Sequence, residues 1–505
     1  MYKEILLKEI QENLKSFRFI IALLLCIILI PLGFYVSHQD YEKQLANYQE
    51  LVKINDEKMR EFDRADLEFQ AAGCRPPSAL SIFANGLEWH IPNTILTHGV
   101  EGAQLKQHRG IDNPESLLFG RIDLLFIVNF VISLLAILFA FNAITEEKER
   151  GTLSLIHSNS LAKHKTLVGK LIGNFIAFLV PLILGLLVGF LVLSMISKSV
   201  LFSSEQLLRI GIMLLFNIIA CAVFFNMGLF ISTLTYRSIT SILTLLFLWV
   251  IFALTLPKLS PMLAEIIYPI HSQQVVNVQK KMVSESFEEE KTNRQDELIK
   301  HIFGDEGTHM YSGITADTEI TDELALRYLW RNKTRLENIQ KVKGYLHMNK
   351  EYIIQNKKLE AEFDKKTREA ITTIEIEYDN QRSTQSKITR FISRISPVSC
   401  YTYLMAELSN TGILQLENLQ QEARTFQQAF VESYYDKIHH ITYGHGGSTT
   451  SVDKIDYDNL PRFKHSNVRL NDVLGFVWID MLLLCLYNLL FFSAAYVTFL
   501  RYDVR

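Results

Sequence analysis

Few residues in this chain have types and spacings suited to chemistry. Gly169-Lys170 has the ending of a phosphate-cradling loop, but the first glycine of G-x-x-x-x-G-K-[ST] is missing and Leu171 follows the lysine. The chain therefore has no ATP site of that kind. H-E-x-x-H and C-x-x-C are absent. His439, His440 and His445 stand beside a glycine-rich stretch, and three imidazoles can hold a metal. A polar loop with scattered histidines is the plainer reading, and no metal site is expected. Cys74 and Cys400 form a candidate disulfide, with two separate thiols as the alternative, because sequence cannot show the Cα spacing a bridge needs. No nucleophile–base pattern is present. An enzyme is not expected, and no cofactor is assigned to the chain itself.

The more informative stretch binds rather than reacts. It runs Thr145-Glu146-Glu147-Lys148-Glu149-Arg150-Gly151-Thr152-Leu153-Ser154-Leu155-Ile156. An apolar run ends here in a charged cluster. Gly151 permits a sharp turn, Thr152 can cap a short helix, and Leu153, Leu155 and Ile156 supply apolar contacts. Such a helix suits docking in a groove on another protein. The alternative is a helix lying on lipid headgroups, which Lys163 and Lys165 would also suit.

The elements that position this stretch are apolar. Of 505 residues, 49% are hydrophobic and 21% charged, with a net charge of −3. That near-neutral balance excludes a nucleic-acid binder, which needs a basic surface. Five cysteines are too few for a disulfide-built secreted module. Six runs of about 20 residues or more lack charge, the length a helix needs to cross a bilayer. They predict an all-α membrane protein with helices at about 19–37, 120–145, 169–196, 207–235, 238–257 and 473–499. The first reads as an anchor, since its apolar stretch is too long for a cleaved signal.

Lysine and arginine in the short flanking segments orient the helices. Lys3, Lys8, Lys15, Arg18, Lys148, Arg150, Lys163, Lys165, Arg237, Arg501 and Arg505 fall on one side, with both termini, and the one short opposite loop has only Lys198. This predicts cytoplasmic segments at 1–18, 146–168 and 500–505, with a tight turn at Arg237. Residues 1–18 read as an amphipathic interfacial helix, its apolar face formed by Tyr2, Ile5, Leu6, Ile10, Leu14 and Phe17.

Segments 38–119 and 258–472 then lie on the far side. The second has no proline between Pro269 and Pro397. Leu329, Leu336, Ile339, Val342, Leu346 and Ile353 recur at steps of three, four or seven, the pattern of long amphipathic helices packed as hairpins. A break is expected at Gly304–Gly307 and Tyr311–Gly313. Further helices are expected at 41–71 and about 413–440, the latter ending in a glycine-rich loop at 443–450. Charges within membrane helices need a reason. Arg121, Asp123 and Asp480 form an expected polar set, with Arg121 able to pair with Asp480; a structural pair or snorkelling to headgroups is the favoured reading. Asn129, Asn174, Asn217, Asn226 and Asn488 either line a path or bond between helices.

Glu147-x-Glu149-x-Gly151-Thr152-Leu153, followed by Gly169-Lys170 opening an apolar helix, resembles the permease subunits of type-2 ATP-binding-cassette (ABC) transporters. The stretch Arg75-Pro76-Pro77-Ser78-Ala79-Leu80-Ser81-Ile82-Phe83-Ala84-Asn85-Gly86-Leu87-Glu88, Ile395-Ser396-Pro397 and the terminal Phe499–Arg505 resemble one subgroup, the multicopper-enzyme-maturation type, with a large insertion before the last membrane helix. The resemblance implies that 1–18 is an elbow helix. It makes 146–168 a coupling helix gripped by an ATPase subunit through Glu146, Glu147, Glu149, Gly151, Thr152, Leu153, Leu155 and Ile156. The turn with Tyr236 and Arg237 would be a second contact. It further implies two ATPase copies carrying ATP and Mg, a second permease chain, identical or paralogous, and a bacterial cytoplasmic (inner) membrane. Three functions follow: an ABC exporter of undefined substrate, an ABC-driven transmitter acting on an envelope partner through the outer helices, or a membrane scaffold without an ATPase.

Overall fold

The computed structural model describes residues 2–61, 71–98, 102–106, 122–153, 163–197, 202–304, 314, 316, 318–332, 338–438 and 461–502. Six helices there are long and apolar enough to cross a membrane: Phe17–Glu57, Leu124–Glu149, Lys163–Ile196, Ser204–Leu234, Ser238–Ile267 and Leu470–Arg501. They sit at the six uncharged runs. A short helix α1 (Tyr2–Leu14) precedes them. Its polar side faces the bundle through Glu9 and Asn13, while Leu14 and Phe17 stay exposed.

The first membrane helix, α2, runs unbroken from Phe17 to Glu61. At 1.5 Å per residue this is a rod of about 68 Å, roughly twice the hydrocarbon thickness of a bilayer. The two helices expected at 19–37 and 41–71 are thus one as far as Glu61. Residues 62–70 lie outside the described residues, and at Ala71 the expectation fails because that residue lies in a strand. Strands β1 (Ala71–Cys74), β2 (Thr94–His98) and β3 (Gly102–Lys106) form an antiparallel sheet in the order β1-β2-β3, with Cys74 opposite Thr94 and Ile95 opposite Leu105.

The second membrane helix, α3, is a composite of Leu124–Phe126, a π-helical stretch Ile127–Ile132 and Ser133–Ala140. Short helix α4 (Thr145–Glu149) follows it, then α5 (Lys163–Ile196) and α6 (Ser204–Leu234). α7 also carries a π-helical stretch: Ser238–Val250, Ile251–Thr255, Leu256–Ile267. α2 and α5 pack backbone to backbone. A Cβ on Gly185 would lie 2.7 Å from the Cys26 carbonyl oxygen, and one on Gly189 would lie 2.5 Å from the Phe34 ring. Glycines four apart permit this approach, a device common between membrane helices.

Helices α8 (Gln273–Phe303) and α10 (Ile339–Ser393) form a long antiparallel arm. Lys280 pairs with Glu375, Gln295 with Asn356 at 2.8 Å, and the rings of Phe303 and Tyr352 lie 6.0 Å apart. α9 (Asp322–Asn332) caps the arm's far end over Val342 and Leu346, with Leu329, Ile339 and Ile353 partly buried around them. Leu336 and the expected breaks after Gly304 lie outside the described residues.

After the arm, α11 (Pro397–Leu408) turns inward. Ser396 caps it, accepting from the Val398 and Ser399 amides, and donates to the Phe252 carbonyl in the π-helical stretch of α7. Ten of its twelve residues are buried. Tyr401 donates to Asn217 of α6 at 2.7 Å, and Asn129 of α3 donates to Thr402 at 2.9 Å. The stretch expected wholly within the outer domain is thus wedged among the membrane helices. α12 (Ile413–Ile438) leads away, and the last membrane helix is α13 (Leu470–Arg501).

Candidate functional site

The site is built where both described ends of the chain meet the segment after α3. The amides of Ile144 and Thr145 donate to Ser232 Oγ of α6 at 3.0 and 3.1 Å, which satisfies two of the groups a helix start leaves open. Arg18 donates to Asn142 Oδ1 at 2.7 Å, and Asn142 donates to Glu146 at 2.5 Å. These bonds fix α4 on the bundle.

Four consecutive charges then take four directions. Glu146 pairs with exposed Arg150 at 2.6 Å. Glu147 turns inward to the buried ammonium of Lys170 at 2.8 Å, which also meets Glu9 of α1 at 2.5 Å. Burial raises the Glu9 carboxyl above its ordinary range, and Lys170 opposes that rise. Lys148 donates to the Thr233 and Thr235 carbonyls at the end of α6, between the rings of Tyr236 and Tyr502, 5.3 and 4.7 Å from its Nζ. Glu149 accepts from the amide and hydroxyl of Ser238, at 3.2 and 2.9 Å, at the start of α7.

Gly151 has φ +71, a backbone conformation that favours glycine. The Thr152 hydroxyl donates to the Glu147 carbonyl at 3.5 Å. Leu153 was expected to face a partner; instead it is 2% exposed, packed with Ile144, Leu167, Leu229 and Phe499. It anchors the segment because an apolar pocket lies directly beneath it. Leu155 and Ile156 fall outside the described residues. The surface left open is a compact ridge: Glu149, Arg150 and Gly151 beside Leu234, Tyr236, Arg237 and Ile239. Sequence reasoning missed Lys170, Ser232 and Tyr502 as parts of this site, whereas Ser238 belongs to the turn expected as the second contact. Lys163 donates to the Tyr502 carbonyl at 2.8 Å and the Leu500 carbonyl at 3.4 Å.

The opposite end carries the polar set. Asp123 caps α3, accepting from the Phe126 amide at 2.7 Å and the Asn85 amide at 3.0 Å. Asp480, wholly buried, accepts from Arg390 Nη2 at 2.7 Å and from Arg394 Nε and Nη2 at 2.7 and 2.9 Å. These guanidinium groups come from the last turn of α10 and the residue just after it; Arg121, the partner expected for Asp480, lies outside the described residues. Arg209 of α6, 2% exposed, donates to Leu408 O, Asn410 Oδ1 and Val468 O and pairs with Glu205. It knots the turn after α11 to the start of α13.

The five asparagines all bond between elements. Asn174 accepts from Asn13, Asn226 donates to Asn488, and Asn488 donates to the Ile219 carbonyl. The candidate disulfide is not formed. Cys74 lies on β1, Cys400 is buried in α11, and both are free thiols. Burial raises the Cys400 thiol to about 12, so it is protonated and donates to the Arg394 carbonyl. No metal-binding group of three occurs among the described residues, and His439, His440 and His445 lie outside them.

Six helices long and apolar enough to cross a bilayer define a multi-pass membrane protein. The sequence pattern of the family described as ABC-2 family transporter protein matches residues 4–504, and the chain belongs to that family. The family is the membrane component of ABC transporters and not itself the ATPase. A search of the curated proteins finds no match.

Proposed function

We propose that this chain is the permease subunit of an ABC exporter in a bacterial inner membrane, of the subgroup with a large insertion before the last membrane helix. Two ATPase subunits carrying ATP and Mg drive it, and a second permease chain completes the membrane unit. Both termini face the cytoplasm. The basic side chains on the terminal face support that orientation.

The observation that carries the reading is the ridge around Gly151, Tyr236 and Arg237. Its side chains are exposed, while the residues just before Glu149 are tied to the bundle: Ser232 accepts from the Ile144 and Thr145 amides, Lys170 pairs with the Glu147 carboxylate, and the Lys148 ammonium donates to carbonyls at the end of α6. A rigid base under an exposed surface transmits a push instead of absorbing it. ATP-driven closure of the partner displaces the ridge, and differential affinity of cargo for the two resulting arrangements completes the coupling. Co-purification with the neighbouring ATPase tests this. Arg150→Glu with Tyr236→Ala abolishes capture and stimulated hydrolysis; persistence of both overturns the assignment.

A second reading is favoured by the arm. A helix pair tied to a membrane helix by the buried Arg390 and the partly buried Arg394 is suited to moving an envelope partner, with no cargo crossing the bilayer.

A further inference from the structure

The last membrane helix is gripped at both ends by the two parts of the molecule that the proposed function needs to connect. At the terminal end, Phe499 of α13 is 1% exposed and packs with Leu153 and Leu167. The Tyr502 ring lies 4.7 Å from Lys148, and Lys163 holds the Tyr502 carbonyl at 2.8 Å. Lys148 within the ridge segment and Lys163 after it are both fastened to the residues that finish α13.

About 28 Å along the same helix, Asp480 receives three hydrogen bonds from Arg390 and Arg394. The Arg390 guanidinium lies 4.0 Å from the centre of the Phe476 ring. Tyr487 donates to the carbonyls of Arg394 and Ile395 at 3.0 and 2.9 Å. Phe476, Asp480 and Tyr487 thus hold the last turns of α10, the 55-residue helix of the arm. Between the two grips α13 is one uninterrupted α-helix without proline.

We propose that Asp480 is a positioning residue that fastens the α8–α10 arm to α13, so that displacement of the 145–153 ridge is delivered to the arm through this helix. The inference rests on the coupling reading for what displaces the ridge in the working complex. The mechanical link itself is independent of it. Two arginines gripping one carboxylate from adjacent turns resist both sliding and rotation, as a single pair does not. A chain of contacts is not yet coupling, so the test measures coupling directly.

The full chain in lipid nanodiscs, without ATPase, is followed by amide hydrogen exchange. Tyr502→Ala perturbs the terminal grip. In the otherwise unchanged chain it raises exchange in residues 380–393 several-fold. In the background Arg390→Gln, Arg394→Gln, Asp480→Asn, where the grip is neutral and no charge is stranded, the same substitution changes exchange there less than twofold. Asp480→Glu restores the full response. Equal increments in both backgrounds, or no increment in the unchanged chain, overturn the proposal. Asp480→Asn alone strands two arginines, so the triple variant is the decisive one; its folding is checked by thermal unfolding. Because no ATPase is present, failure here is separate from failure of Tyr236→Ala to disrupt docking.

Discussion

Glu147 and Lys170 meet at 2.8 Å across the start of two helices, and the ammonium is only 6% exposed. Glu9 approaches from the other side, so one buried cation holds two carboxylates. Removing it leaves both uncompensated. Lys170→Met should destabilise the full chain by about 3–5 kcal/mol, the range for stranding a buried partner. Adding Glu9→Gln and Glu147→Gln should recover most of that loss. Thermal unfolding in detergent checks both, and equal melting of single and triple variants contradicts the charge argument.

Gly151 has a positive φ, and a Cβ added there would meet no described atom within 4 Å. Gly151→Ala should therefore cost about 1–2 kcal/mol through the backbone alone. Gly151→Asn should cost less, because asparagine tolerates this region better. Thermal unfolding of the two variants checks the order, and equal losses contradict the backbone argument.

The α2–α5 contact responds to size instead. Gly189→Leu drives a side chain into the Phe34 ring and should cost at least 1–3 kcal/mol, the range for overpacking. Gly211→Leu, on α6 with open space, is the control and should leave the melting temperature nearly unchanged.

Glu407 is 2% exposed and accepts from the amides of Ile413 and Leu414. Burial dominates and raises its carboxyl to about 7, although those bonds and Arg390 oppose it. The folded state thus binds the proton more tightly than the unfolded chain. Stability contributed here is full below about pH 4.5 and is lost as pH rises toward 7. The change is on the order of 3 kcal/mol. Glu407→Gln, permanently neutral, should flatten that slope. A slope unchanged in the variant assigns it to another group.

The parts of the fold legible in the sequence are those with local causes. Leu171–Ser197 holds no charge, and a helix through lipid is the structure that satisfies its backbone. Glu147, Glu149 and Gly151 were legible as a special segment by composition. Their directions were not: Glu147 turns inward because Lys170 and Glu9 converge on it, and those partners are distant in sequence. The same holds for Asp480, whose arginines lie 90 and 86 positions earlier. α11 was illegible because twelve residues with Glu407 and several hydroxyls are too short and polar to announce insertion. The strands were missed because each has four or five residues and depends on non-local pairing.

The unbroken first helix has a consequence for the molecule's surroundings. Its apolar portion is seated in lipid, yet some 24 residues continue past Ser37 without a joint. A tilt of about 10° at the bilayer would swing its far tip by roughly 6 Å. Lipids of different chain length change tilt. The thickness of the host membrane therefore sets where this tip points, much as the angle of a mast follows the deck beneath it.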